Sequence, residues 1–290
     1  MQQRQVAKRP RLPPAPSAAA MRAMTRLLQP WHAITSPVSY GLDNIPRRGP
    51  RLFVGNHTLF GMLDAPMLFL ELYMKRKIVL RSLGDHVHFR VPLWRNVLTR
   101  YGVVDGTREN CAALMAARQS ILVFPGGARE VFKHKGEKYK LLWGDRVGFA
   151  RLAIQYGYPI VPFAAVGADD AWDIVVGGDE LLPAPVQAVL ERLGLRTDAL
   201  FPIVKGIGPT PLPRPERIYF HFAPPVETRS YRGLHGDDAA CWEVREQVRR
   251  AIKSGLKFLL KERKHDPGRD LFARLLGDNR APQRRDARDG

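Results

Sequence analysis

One short stretch, Arg51-Leu52-Phe53-Val54-Gly55-Asn56-His57-Thr58-Leu59-Phe60-Gly61-Met62-Leu63-Asp64, runs an apolar strand directly into a histidine. A neutral imidazole is the side chain best matched to take a proton from a hydroxyl near neutral pH, so His57 is a candidate general base. The first acid after it is Asp64, seven residues on. On one continuous helix that offset returns to the same face but about 10.5 Å along the axis, beyond hydrogen-bond reach. Pairing His57 with Asp64 therefore requires residues 58–61 to form a turn, which Gly61 would permit. Asp64 also stands just before Ala65-Pro66, where it could serve as the N-cap of the next helix. Both readings stay open, and they are compatible.

The second stretch is Phe124-Pro125-Gly126-Gly127-Ala128-Arg129-Glu130, a turn directly after an apolar run. Gly126 and Gly127 could expose backbone N–H groups to an oxyanion with no side chain in the way. Arg129 could bind phosphates or a lipid head group, and Glu130 belongs to the same group of substrate-binding candidates. Residues 131–140 then carry Lys133, His134, Lys135, Lys138 and Lys140 against a single acid, Glu137. Lys133, Lys135 and Lys138 could grip the phosphates of a carrier, although a charge run also reads as a solvated loop. His86 and His88, two apart in an expected loop, have no further ligands at metal-binding spacing, so no metal site is expected. Asp169-Asp170 could close the rim of a site or form a turn or cap. No GxSxG elbow, GxxxxGK[ST] loop or HExxH helix occurs, so neither a serine nucleophile nor a phosphate loop is indicated.

These residues need a scaffold, and the apolar pattern supplies one. Strands are expected at 52–54, 78–80, 103–104, 121–124, 159–167 and 218–222. Helices are expected at 65–75, 91–98, 109–117, 145–155, 186–193 and 242–260, the second with proline in its first turn. Strands alternating with helices predict an α/β fold, a largely parallel central sheet flanked by helices, and such sheets place ligands at the carboxyl ends of their strands. Residues 1–16 read as a disordered basic arm. Residues 17–34 place Ala18, Met21, Met24, Leu27, Leu28 and Trp31 at helical spacing, with Arg22 and Arg26 on another face. That pattern fits an interfacial membrane anchor or a helix packed on the core. The resulting division is a basic arm at 1–16, a membrane-docking helical element at 17–40, a catalytic domain at 41–260 and a charged mobile tail at 261–290.

Composition narrows the partners. The chain of 290 residues has a formal net charge of +18, which calls for an anionic partner or surface. Nucleic acid is one such partner, but the cations are spread along the chain without zinc-finger spacing or an RRM-like aromatic motif, so no specific nucleic-acid partner is expected. Cys111 and Cys241 form no CxxC pair, which points to a reducing, cytoplasmic setting. No apolar run reaches the roughly 18 residues needed to span a bilayer, and the first 16 residues do not resemble a signal peptide. The expectation is a protein lying on the inner face of a membrane, its oligomeric state open.

In order and context, the Gly55-Asn56-His57 block through Asp64, the 124–130 turn, the Lys135-Gly136-Glu137-Lys138-Tyr139-Lys140-Leu141 loop and the Val161-Pro162-Phe163 strand resemble the glycerolipid acyltransferase superfamily. The branch they resemble contains plant phytyl ester synthases and type 2 diacylglycerol acyltransferases. The resemblance covers roughly residues 51–170. It implies transfer of a fatty acyl group from a thioester, acyl-CoA or acyl carrier protein, to the hydroxyl of a lipid acceptor, with no cofactor. His57 would be the base, paired with Asp64. Two departures matter. The superfamily commonly spaces histidine and aspartate as HxxxxD, whereas six residues intervene here. Where glycerol-phosphate acyltransferases carry FPEGTR, Gly126 and Ala128 replace the glutamate and threonine. The PGG form resembles the branch acting on neutral alcohols such as diacylglycerol or long-chain alcohols. A 1-acylglycerol-3-phosphate acceptor, or non-catalytic binding of lipid or nucleic acid, are the alternatives.

Overall fold

A computed structural model describes residues 12–192 and 200–276. Its elements, in chain order, begin with α1 (Ala18–Thr35), β1 (Val38–Tyr40), β2 (Leu52–Gly55), α2 (Asp64–Arg76), β3 (Leu80–Gly84), α3 (His86–Arg90) and α4 (Pro92–Arg100). They continue with β4 (Val103–Asp105), α5 (Arg108–Ala116), β5 (Ser120–Val123), α6 (Ala128–Val131), α7 (Gly148–Tyr156) and β6 (Ile160–Val166). The last are β7 (Asp173–Val176), α8 (Ala184–Arg192), β8 (Ile203–Lys205), β9 (Tyr219–Phe222), α9 (Asp238–Lys264) and α10 (Leu271–Leu275).

Seven strands form one sheet in the order β1-β9-β6-β2-β5-β3-β4. Every pairing is parallel except β6 with β9. A mostly parallel sheet is covered on both faces, and its inner strands must then be apolar on both sides. β2 and β6 meet that requirement, since every residue of both is buried. α9 packs along β6 through Val244, Val248, Ile252, Leu256 and Leu259, an apolar stripe at intervals of three and four. Gly255 permits the close approach: a Cβ there would lie 3.0 Å from the Cβ of Ala164. β7 and β8 form a separate antiparallel ribbon beyond the carboxyl end of β6.

Several boundaries differ from the sequence reading. The second strand begins where it was expected to end, at Leu80, because Lys77 takes a left-handed conformation and residues 77–79 are needed to leave α2. His86 and His88 lie on α3, capped by the Asp85 carboxylate accepting from the Val87 N–H, and not in a loop. The helix expected from 145 starts at Gly148. α1 is a helix capped by Ser17, and one face of it, Ala20, Met21 and Met24, is buried. Of the arm, residues 1–11 lie outside the described residues, while Pro13 O accepts from Arg81.

The largest correction concerns the end of the chain. α9 runs to Lys264, and residues 261–276 pack against the domain where a mobile tail was expected. Asp266, buried, accepts from Arg217 and from the Tyr219 hydroxyl. Arg274, also buried, donates to the carbonyls of Ile34 and Pro215. Charged side chains do this anchoring, which an apolar pattern cannot reveal. Residues 277–290 lie outside the described residues.

Candidate active site

β2 ends at the carboxyl edge of the sheet, and the next three residues build the site. Gly55 is required because the Phe163 ring lies where a Cβ would project, 2.3 Å away. Asn56 then continues the β2–β6 ladder with its side chain: its amide N–H donates to Ala165 O at 2.9 Å and its oxygen accepts from Ala165 N at 2.8 Å. That leaves the backbone of His57 free to depart from the sheet. Its N–H donates to Glu130 Oε2 at 2.8 Å, and its carbonyl accepts from Lys133 Nζ at 2.8 Å.

Residues 58–61 form the turn that a His57–Asp64 pairing demands, closed by Gly61 N–H to Thr58 O at 3.0 Å. Phe60 and Gly61 both have positive φ, at 61° and 62°. Phe60 is held in that costly conformation by its N–H bond to Val131 O. Gly61 has a second constraint, for a Cβ would stand 2.2 Å from His57 Cε1. The turn delivers Asp64 to the imidazole, with His57 Nδ1 4.0 Å from Asp64 Oδ2. That is ion-pair range, about 1 Å longer than a hydrogen bond. Asp64 is the first residue of α2 and Leu63 its N-cap, so Asp64 is not the cap. Burial pushes the Asp64 carboxyl up, but contacts from His57 and Thr58 and the Ala65 N–H outweigh it and hold the group below the ordinary carboxylate range.

The imidazole stacks on Phe124, centroids 3.8 Å apart and 8° from parallel. Its Nδ1 is buried, so the 16% exposure the side chain retains belongs to its other atoms. Beside the turn, Phe60 meets Trp172 edge-on at 5.1 Å, and Phe201 lies 4.6 Å from Phe132 and 6.0 Å from Phe60. The wall of the site is thus aromatic and apolar.

The glycine turn has a different internal logic from the one expected. Gly127, at φ 51° and ψ −140°, donates its N–H to Phe124 O at 3.0 Å. Gly126 makes room for Glu130, whose Cδ lies 2.2 Å from the position a Cβ would take. The buried Glu130 carboxylate joins two segments, accepting from His57 N and from Leu142 N at 2.9 Å. Burial raises its carboxyl above the ordinary range despite these bonds. Glu130 therefore faces the protein and holds the loop that carries His57.

The lysines sort just as sharply. Lys133 is 1% exposed, not solvated as a charge run suggests, and its ammonium lies 2.6 Å from Asp169 Oδ2. Asp169 also accepts from Leu59 N at 2.7 Å and Tyr139 N at 3.0 Å, so it pins the His57 loop and does more than form a turn. Lys135 pairs with Glu180, and Lys138 with Asp170 and Asp173. Arg129 makes a two-pronged contact with Glu137 at 2.6 and 2.8 Å. The structure thus gathers His57, Asp64, Gly126, Glu130 and Lys133 into one constellation, and engages Arg129, Lys135 and Lys138 with neighbouring carboxylates. Sequence reasoning missed Asn56, Phe124 and the Phe60–Trp172–Phe201 wall. Asn56, adjacent to His57, was the one with a visible signal.

A histidine–carboxylate pair at the carboxyl edge of a mostly parallel sheet, walled by aromatic rings, has the makings of a proton-abstracting site for an apolar substrate. Comparison with known proteins gives the class. Residues 37–166 match the acyltransferase family model. Phytyl ester synthase 1, chloroplastic, from Arabidopsis thaliana is 32% identical over 256 residues, covering 81% of this chain and 36% of that protein. The DGAT1/2-independent enzyme synthesizing storage lipids from Bos taurus is 29% identical over 132 residues, 46% of this chain and 38% of that one. The family match places residues 37–166 in the acyltransferase family, and the chain spans little more than a third of the length of these relatives. The crystal structure of the 1-acyl-sn-glycerophosphate (LPA) acyltransferase PlsC from Thermotoga maritima gives a TM-score of 0.46 at 16% identity, over 81% of this chain and 78% of that one, too loose a likeness to carry residue roles across.

Proposed function

We propose that the protein transfers a fatty acyl group from an acyl thioester to the hydroxyl of a neutral lipid, with His57 as general base. The observation that carries this reading is the imidazole held between Phe124 and the Asp64 carboxylate, beside an aromatic wall. The acceptor hydroxyl gives its proton to Nε2 as its oxygen attacks the thioester carbonyl. Asp64, facing Nδ1, stabilises the imidazolium that forms. When the tetrahedral intermediate collapses, the C–S bond breaks and the imidazolium returns the proton to the thiolate. Since the Gly127 N–H is engaged, the oxyanion role expected of the glycine turn falls to the Gly126 N–H.

Two facts support a neutral acceptor. Arg129, the expected phosphate ligand, is neutralised by Glu137, and the similar plant proteins are named for phytyl esters. For the donor, the phosphate contacts shift from the paired lysines to Lys140, Arg249 and Lys253, which with Tyr139, Leu141 and Leu142 line a groove of about 320 Å³. Lys140 and Lys253 have no ion-pair partner among the described residues. Leu142 is tied by its N–H to the same Glu130 carboxylate that holds His57. Acyl-CoA and an acylated carrier protein both present a phosphate to such a groove.

The test is acyl transfer from labelled acyl-CoA to diacylglycerol, a long-chain alcohol or a lysophosphatidate, comparing wild type with His57→Ala. Neutral ester formed by wild type alone is the expected result. Labelled phosphatidate would overturn the neutral acceptor, and turnover unaffected by the substitution would remove His57 as base.

A further inference from the structure

α3 and α4 are surface helices of unusual composition. Neither buries a single side chain, yet Leu93 is 78% exposed, Trp94 46%, and Val87, Val91 and Val97 are exposed with them. A helix of nine residues is marginal in water and ordinarily owes its stability to an apolar stripe laid against a core. Here Val87, Val91, Leu93, Trp94 and Val97 face outward, and of the apolar side chains only Phe89 and Leu98 are half-buried. Arg90, Arg95 and Arg100 are exposed on the same segment, and Asp85 is its one acid. Tryptophan and aliphatic side chains interleaved with arginine suit the boundary between lipid head groups and acyl chains.

Placement strengthens the point. β3 leads into α3 at its carboxyl end, and β2 leads into His57 at its own. The two strands are parallel and separated only by β5, so α3 begins at the edge of the sheet that bears His57, roughly 10 Å to the side at ~4.8 Å per strand. Beyond β2 in the other direction the rim is again apolar, with Met62 and Phe201 exposed.

We propose that α3–α4 is the surface on which the protein docks to an anionic bilayer, with the carboxyl edge of the sheet turned toward the lipid. Charge complementarity selects this occupant: three arginines on the surface, in a chain of net charge +18, meet acidic head groups favourably. A second copy of the chain would instead oppose arginines to arginines. The inference takes its reason for a lipid-facing site from the acyl-transfer reading, but its surface is measured without turnover. No described helix is long and apolar enough to cross a membrane. α1, the anchor suggested by sequence, commits Ala20, Met21 and Met24 to the core and leaves Leu27 exposed.

The full chain is tested by co-sedimentation with vesicles of phosphatidylcholine, alone and mixed with phosphatidylglycerol, in the absence of any thioester. Wild type and His57→Ala should bind the mixed vesicles alike. The double variant Leu93→Ser/Trp94→Ser should lose about tenfold or more in partitioning, each of Arg90→Gln, Arg95→Gln and Arg100→Gln roughly fivefold, and Leu27→Ser nothing. Unchanged far-ultraviolet circular dichroism and denaturation midpoint establish that the variants fold. Equal partitioning of wild type and Leu93→Ser/Trp94→Ser overturns the proposal. So does loss of binding in Leu27→Ser alone, or a dimer of the free protein that dissociates in the α4 double variant. Absence of acyl transfer by wild type with its vesicle binding intact would count against the catalytic reading only.

Discussion

Replacing Gly126 by alanine separates two explanations of the glycine turn. The backbone at Gly126 has no positive φ, so alanine adds no conformational strain of its own. What it adds is a methyl 2.2 Å from both Cγ and Cδ of Glu130. The carboxylate must leave, and with it go the bonds to His57 N and Leu142 N. Hydrogen bonds to a charged acceptor contribute about 1.5–3 kcal/mol each, which bounds the loss at roughly 3–6 kcal/mol; partial rehydration of the displaced carboxylate sets the expectation near ~3 kcal/mol. Glu130→Ala should cost a similar amount. In the Glu130→Ala background the methyl added at position 126 enters vacated space, so Gly126→Ala should cost less than about 1 kcal/mol there, a coupling of about 2 kcal/mol or more. Urea unfolding of wild type, the two single variants and the double variant measures this. Costs that add to within about 0.5 kcal/mol would refute the packing of Glu130 over Gly126 and leave exposure of the Gly126 N–H as the one reason for a glycine there.

Asp64→Asn should lower kcat by up to about a thousandfold, since a unit charge 4.0 Å from the imidazolium contributes about 4 kcal/mol at an effective dielectric of 20. Because the native Asp64 carboxyl is held below its unfolded value, its stabilisation is present above the ordinary carboxylate range and lost as pH falls through the native value. The stability gap between wild type and Asp64→Asn should accordingly narrow over that acid window in pH-dependent urea melts; a constant gap would deny the contact. Lys133→Met leaves Asp169 buried without its partner and should destabilise the protein by about 3–5 kcal/mol, with Lys133→Met/Asp169→Leu recovering part of the loss in thermal melts. Lys140→Gln/Lys253→Gln should raise the KM for acyl-CoA severalfold at little change in kcat, and an unchanged KM would free the groove of its donor role.

The strands were legible because parallel strands buried on both faces are continuous apolar runs, and β6, Ile-Val-Pro-Phe-Ala-Ala-Val, is such a run. The turn at 58–61 was legible from Gly61 alone, as the condition on which His57 and Asp64 could meet. The partners of charged side chains were not. Lys133 sits among lysines that face water, and only the arrival of Asp169, 36 residues later, distinguishes it. Glu130 and Gly126 are four residues apart, yet nothing in their spacing announces a side chain folding back over a backbone. The antiparallel entry of β9 beside β6 is a matter of which edge was left open, and residues 261–276 are fastened by Arg217–Asp266 and by Arg274 to carbonyls, none of which leaves an apolar trace.

That division explains why only part of the arrangement around His57 was legible in the sequence. The residues that act on substrate must stand at the ends of strands, and strand ends are visible as the place where an apolar run meets glycine, asparagine and histidine. The residues that hold the His57 loop are buried ionisable groups, the Lys133–Asp169 ion pair at its carbonyl and the Glu130 carboxyl at its N–H. In sequence such residues are indistinguishable from surface charge. The His57 backbone is gripped at both its N–H and its carbonyl by ionisable side chains from the 128–133 segment. The motif following β5 therefore supports the His57 backbone, and if His57 is the base as proposed, substitutions there should lower kcat before they alter the KM of either substrate.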